Sequence, residues 1–145
     1  MVLLASGSAS LSHEGATGIV KERMDQMEKI GRAMKRINGR LKSKRGLPEI
    51  AQDAQEIRTS AETVPSLFPP GSRDVHTEAT AAIWERWPEF VAASRVLVEE
   101  SEKLAAAARS GQEAAISRQF RSVTRACSGC HDVFRVKKGA CNGAH

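Results

Sequence analysis

The chain has 145 residues, a formal net charge of +5 at pH 7, 41% apolar and only 4% aromatic residues, and a sequence pI near 9.4. That length suits one domain around a single core, and no apolar run approaches the ~20 residues needed to cross a bilayer. Outside residues 32–45 the positive charge is dispersed, and few rings are present to stack on bases. A solvated basic surface therefore explains the charge better than nucleic-acid binding.

Residues 1–15 start apolar (Val2, Leu3, Leu4) and turn small (Ala5, Ser6, Gly7, Ser8), like the end of a secretory signal with its cleavage zone. No Lys or Arg precedes them, so they read as the remnant of an export signal or as a floppy N-terminus. The domain proper is read as 16–138. Its first helix is predicted over 17–41, with Val20, Met24, Met27, Gly31, Met34 and Leu41 spaced by threes and fours. Lys29, Arg32, Lys35, Arg36 and Arg40 crowd its later half, where positive charge complements the helix dipole. A second helix starts at Pro48, a good first-turn residue, and carries Ile50, Ala54, Ile57, Ala61 and Val64 on one face. Residues 65–72, with three prolines and a glycine, are read as a loop, with Leu67 and Phe68 tucked against the core. A third helix is predicted over 81–109, with Ile83, Trp84, Trp87, Val91, Leu97, Leu104 and Ala108 inward; Pro88 kinks it or marks a late start.

The fourth helix opens at Ser110-Gly111-Gln112-Glu113, which reads as a capping box. Its apolar stripe, Ile116, Phe120 and Val123, continues by threes and fours through Cys127, Cys130 and Phe134. Within it lies Cys127-Ser128-Gly129-Cys130-His131, the C-x-x-C-H pattern of covalent haem attachment. Two thiols add across the haem vinyl groups as thioethers, and the adjacent histidine binds iron. On a helix Cys127, Cys130 and His131 stand at i, i+3 and i+4, on one face. The haem would then lie inside an all-α, antiparallel four-helix bundle. A structural zinc site is the rival from another class: Cys127, Cys130, Cys141 and His145 read C-x2-C-x10-C-x3-H. The buried-face placement of the cysteines and the large helical core speak against it. The tail 139–145 holds Cys141, which has no obvious partner, and His13, His76 and His145 are assigned no role.

The chain resembles the class II cytochromes c, which include the cytochromes c′, from about Val20 to Lys138. The resemblance rests on Val20-Lys21-Glu22-Arg23 with Met27 and Gly31, on Leu67-Phe68-Pro69, on Ile83-Trp84, and on Cys127 to Arg135. It implies an up-down-up-down bundle holding one covalent haem c near one end, with His131 as proximal iron ligand and Arg23 near the haem propionates. It also implies a periplasmic role in electron transfer or small-gas binding, often as a homodimer through the first two helices. Pro88 and the 139–145 tail depart from the family pattern.

In the resembled family the sixth iron position separates two functions. An apolar side chain there leaves iron five-coordinate and open to carbon monoxide or nitric oxide; methionine there gives a low-spin electron carrier. The matching position is Met27. Methionines also fill core gaps, but in an antiparallel pair Met27 lies roughly level with His131, and Met34 would be ~10 Å farther along at 1.5 Å per residue. Met24, one turn away, is not excluded by periodicity. Gly31, costly in mid-helix by about 1 kcal/mol, fits a flat macrocycle or tight helix packing against it. The expectation is a non-enzymatic electron carrier with His131 proximal and Met27 distal; the alternative is a five-coordinate, gas-binding cytochrome c′. Arg118, Arg121, Arg125, Arg135, Lys137 and Lys138 would form a rim steering an acidic redox partner, or simply solubilise the helix.

Overall fold

The structure, a computed structural model, describes residues 15–137. The export-signal reading of the N-terminus, Cys141 and His145 lie outside them. Five helices follow one another: α1 (Gly18–Ser43), α2 (Ile50–Thr63), α3 (Ala82–Glu85), α4 (Trp87–Ser110) and α5 (Glu113–Phe134). The four long ones form the expected all-α bundle. α1 packs on α2, α2 on α4 and α4 on α5. Between α5 and α1, where the ring would close, the backbones barely meet.

Each turn has a local cause. α1 ends on Lys44, whose backbone is left-handed (φ 53°) and whose N–H returns to the Arg40 carbonyl. After α2 the chain tightens into a 3-10 turn, Val64–Leu67, with Pro65 near its start. The loop expected from Pro65 therefore begins as one more helical turn. Proline lacks an N–H but is tolerated in a first turn, where that donor has no partner. The Pro88 question resolves as a late start. α3 stops at Arg86, and α4 begins at Trp87 with Pro88 in its first turn. This break turns Trp87, expected inward, to the surface, where it is 36% exposed.

The capping box is not formed. Ser110 is the last residue of α4 and donates to the Ala107 carbonyl at 2.6 Å. Gly111, at φ 73°, caps that helix, and Gln112 stands at the N-cap of α5 without a side-chain bond. Glycine supplies the left-handed residue that ends α4, which displaces the serine from the α5 start.

Two apolar clusters fill the bundle. The larger joins Ile30, Ala33 and Ile37 of α1, Ile50, Ala54 and Ile57 of α2, Leu104, Ala105 and Ala108 of α4, and Ile116 and Val123 of α5. The smaller is aromatic: Phe68, Phe90 and Phe134 with Val64, Ala79 and Ile83, and Trp84 and Cys130 against its edge. Small residues let α2 and α4 approach closely, and the buried Ser94 hydroxyl donates across that seam to the Ala61 carbonyl at 2.8 Å. Asp53, buried on α2, is clasped by Arg36 (2.7 Å) and Arg40 of α1. Burial leaves that carboxylate dependent on its two partners, so the pairing sets the register of α1 against α2.

Candidate functional site

The larger cluster stops at Ile30 on α1 and Val123 on α5. Beyond those residues, toward the start of α1 and the end of α5, stand Arg23 and Met27 on one side and Cys127, Cys130 and His131 on the other. Neither apolar cluster includes Met27 or Cys127, so the aliphatic core stops short of the C-x-x-C-H motif. All five residues of the motif are helical, so both thiols and the imidazole leave one face of α5.

Their environments suit covalent haem. Cys127 and Cys130 are free thiols, both half-buried. Burial raises the Cys127 thiol above its usual range, and burial plus the neighbouring Cys127 pushes Cys130 up to about 11. Neither is a reactive thiolate in the folded chain. His131 is pushed down by burial and by Arg135, against the smaller opposing pull of Glu78 and Asp132. The imidazole is thereby kept neutral, the form that binds iron.

The end of α5 is clamped. Thr80 donates through its N–H to the Phe134 carbonyl (3.0 Å) and through its hydroxyl to the Val133 carbonyl (3.1 Å). Val136 N–H meets the Glu78 carbonyl at 2.7 Å, Ala79 and Arg135 form the one isolated β-bridge among the described residues, and Arg135 pairs with Glu78 at 2.5 Å. Nothing in the spacing of Glu78, Ala79 or Thr80 signalled this role. Pairing across more than fifty residues has no local pattern.

Arg23 supplies the test of fit on the opposite wall. It is only 4% exposed, and one terminal nitrogen donates to the Ser72 carbonyl (2.6 Å) and hydroxyl (2.9 Å). Its guanidinium lies 4.3 Å from the Phe68 ring centroid, a cation–π contact. Yet Nε and the other terminal nitrogen are buried without any partner. Burial lowers this guanidinium from its usual range, with Asp74 pulling it back up. A buried cation with idle donors is costly unless an anion completes it. A haem propionate has the charge and the oxygens to do so. Gly31 agrees: a Cβ there would meet nothing within 4 Å, so close helix packing is not what its missing side chain serves. The residues present fit a haem.

Comparison with known proteins settles the family. Residues 18–135 match the family model of cytochrome c′. The chain belongs to the cytochrome c′ family. Cytochrome c′ of Rhodospirillum rubrum is 33% identical over 119 residues, covering 81% of both chains. Among solved structures, a cytochrome c′ described as having ligand-controlled dimer dissociation superposes with a TM-score of 0.76 at 24% identity, over 82% of this chain and 95% of that one. The nitric oxide complex of a point mutant of cytochrome c′ from Alcaligenes xylosoxidans superposes with a TM-score of 0.74 at 23% identity, over 82% and 94%. The family's cofactor is one covalent haem c, and the four-helix fold is shared.

Membership corrects the expectation of a low-spin electron carrier ligated by His131 and Met27. The match is to cytochrome c′, and the His/Met subgroup finds no support. Helical spacing puts Met27 on a face of α1 but carries no information on whether its sulfur bonds iron, which is why the sequence could not decide between the two ligand sets. The zinc reading gives way too, because the family's cofactor is one covalent haem c.

Proposed function

We propose that this member of the family is a five-coordinate haem c protein that takes a small diatomic gas, carbon monoxide or nitric oxide, at the end of the bundle where Arg23 of α1 and the C-x-x-C-H motif of α5 stand. Cys127 and Cys130 carry the thioethers, His131 is the fifth iron ligand, and Arg23 holds a propionate through its idle nitrogens. When bound, haem supplies an iron whose sixth position can accept the gas. The chain's own residues do the rest. The clamp from Glu78 to Thr80 fixes the end of α5 and so the imidazole, the aromatic cluster excludes water, and Met27 offers an apolar side chain without bonding.

The observation that carries this reading is the match of residues 18–135 to the cytochrome c′ family, with the buried Arg23 keeping two nitrogens unpartnered beside the motif's end of the bundle. The nitric oxide complex of a related fold supports it. The test is the absorption spectrum of the purified protein in both oxidation states. A high-spin ferric form and ready carbon monoxide binding by the ferrous form are expected; a low-spin, gas-inert protein would overturn the proposal. Two further parts of the reading rest on the family alone. The protein works in the periplasm. It also pairs as a homodimer through α1 and α2, which sedimentation of the ferric and gas-bound forms would check.

A further inference from the structure

A groove of about 420 Å³ runs between α4 and α5. Its floor is small and apolar, with Ala93 and Val96 from α4 and Ala126 and Gly129 from α5, and it ends on Cys130. Val96 is 46% exposed. A Cβ on Gly129 would meet nothing within 4 Å, so the floor is open rather than closed by neighbours. Of these residues only Cys130 is needed to hold haem.

Arg118, Arg121 and Arg125, spaced by three and four, form a stripe on the outer face of α5 along one edge of this groove. All three are exposed. Among the described residues no carboxylate pairs with Arg118 or Arg121, and Arg125 donates only to the Ser122 hydroxyl at 2.9 Å. By contrast, Arg36 and Arg40 of α1 are engaged by Asp53 and Glu56. The one carboxylate lining the groove, Glu100, is bonded to Lys103 at 2.7 Å and Gln119 at 2.5 Å, and feels Arg125 only through space. Across the groove, exposed Arg95 and Glu99 of α4 oppose each other in sign. The positive field is therefore one-sided, over α5, and the stripe ends before Asp132.

We propose that this groove docks an acidic one-electron redox protein, whose carboxylates meet the arginine stripe and whose redox edge lies over Val96 and Cys130. The inference rests on Cys130 carrying a haem thioether, since that sulfur is where the floor meets the cofactor. Haem held there by Cys130 would supply a ferric iron able to accept one electron from the partner's reduced centre, the partner being oxidised by one electron with no bond made or broken. A basic rim around a small apolar floor gives a steered, short-lived complex rather than a permanent one. Its one-sidedness orients the partner.

The probe is a flavodoxin of strongly negative net charge, mixed as hydroquinone with the ferric holoprotein. Its dissociation constant and its electron-transfer rate should both weaken as ionic strength rises. Arg121→Glu with Arg125→Glu should weaken binding by about tenfold and flatten the salt dependence. Lys35→Glu with Lys42→Glu on α1 changes net charge equally and should cost no more than about twofold. Val96→Ser should slow transfer without altering the salt dependence. Equal losses from the α1 pair, salt-independent binding, or preference for a basic cytochrome c as probe would each overturn the docking site. Carbon monoxide spectra of the same variants keep the questions apart: a gas-inert wild type sinks the gas reading while the flavodoxin comparison still stands or falls alone.

Discussion

At one end of the bundle Ile37, Ile57, Leu104 and Ile116 are wholly buried, one from each long helix. At the other end Met27 is 37% exposed, Cys127, Cys130 and His131 are half-buried, and the buried Arg23 has nitrogens with nothing to bond. The first region is a finished aliphatic core, where each buried isoleucine or leucine contributes roughly 1.5–3 kcal/mol. The second gathers thiols, an imidazole, aromatic rings and a cation whose remaining donors the chain does not satisfy. The same four helices thus build a self-sufficient half and a half that a cofactor must complete. Stability should reside in the first and function in the second.

The sharpest way to separate them is to remove attachment. Cys127→Ala with Cys130→Ala should abolish covalent haem, so that the denatured protein has the bare polypeptide mass and acid-acetone strips any pigment. Retention of unextractable haem would show that the motif is not the anchor. At the closed end, Ile57→Ala should cost about 2–5 kcal/mol, read as a lower urea midpoint, while the absorption spectrum and carbon monoxide affinity stay unchanged. A changed spectrum would mean that the two halves are coupled through the core.

Arg23→Leu probes the boundary. If a propionate completes the guanidinium, the holoprotein should lose about 2 kcal/mol, the scale of hydrogen bonds to a charged group. If nothing completes it, removing an under-satisfied buried cation should be neutral or stabilising, and the sign of the change in denaturation midpoint tells the two apart. The smallest effect is expected at Met27→Leu. A nearly volume-conserving change at a part-exposed site should cost under about 1.5 kcal/mol and leave the ferric iron high-spin. A shift in spin state on this substitution would restore methionine as a ligand.

The closed half was largely legible in the sequence. Ile50, Ala54, Ile57 and Ala61 fall at helical spacing and are buried as that spacing predicts, and the stripe through Ile116 and Val123 led directly to Cys127 and Cys130. Capping was less legible. Ser110 and Glu113 have the spacing of a capping box, but Gly111 took the left-handed position that ends α4, and one residue cannot serve both roles. Met27 shows a different limit. Its place on α1 follows from periodicity, but periodicity assigns a residue to a face and says nothing of what packs there.

Sequence alone determined the helices, the three-and-four spacing of their apolar faces and the covalent chemistry of C-x-x-C-H, because each depends on residues within one or two turns of one another. Tertiary structure alone decided that Pro88 starts a helix, that residues 78–80 clamp the end of α5, and that Arg23 is buried over Phe68 with donors to spare. It also decided that Met27 belongs to neither apolar cluster. These depend on contacts between segments far apart in the chain, whose geometry is set by how whole helices pack, and no local pattern of residues encodes that.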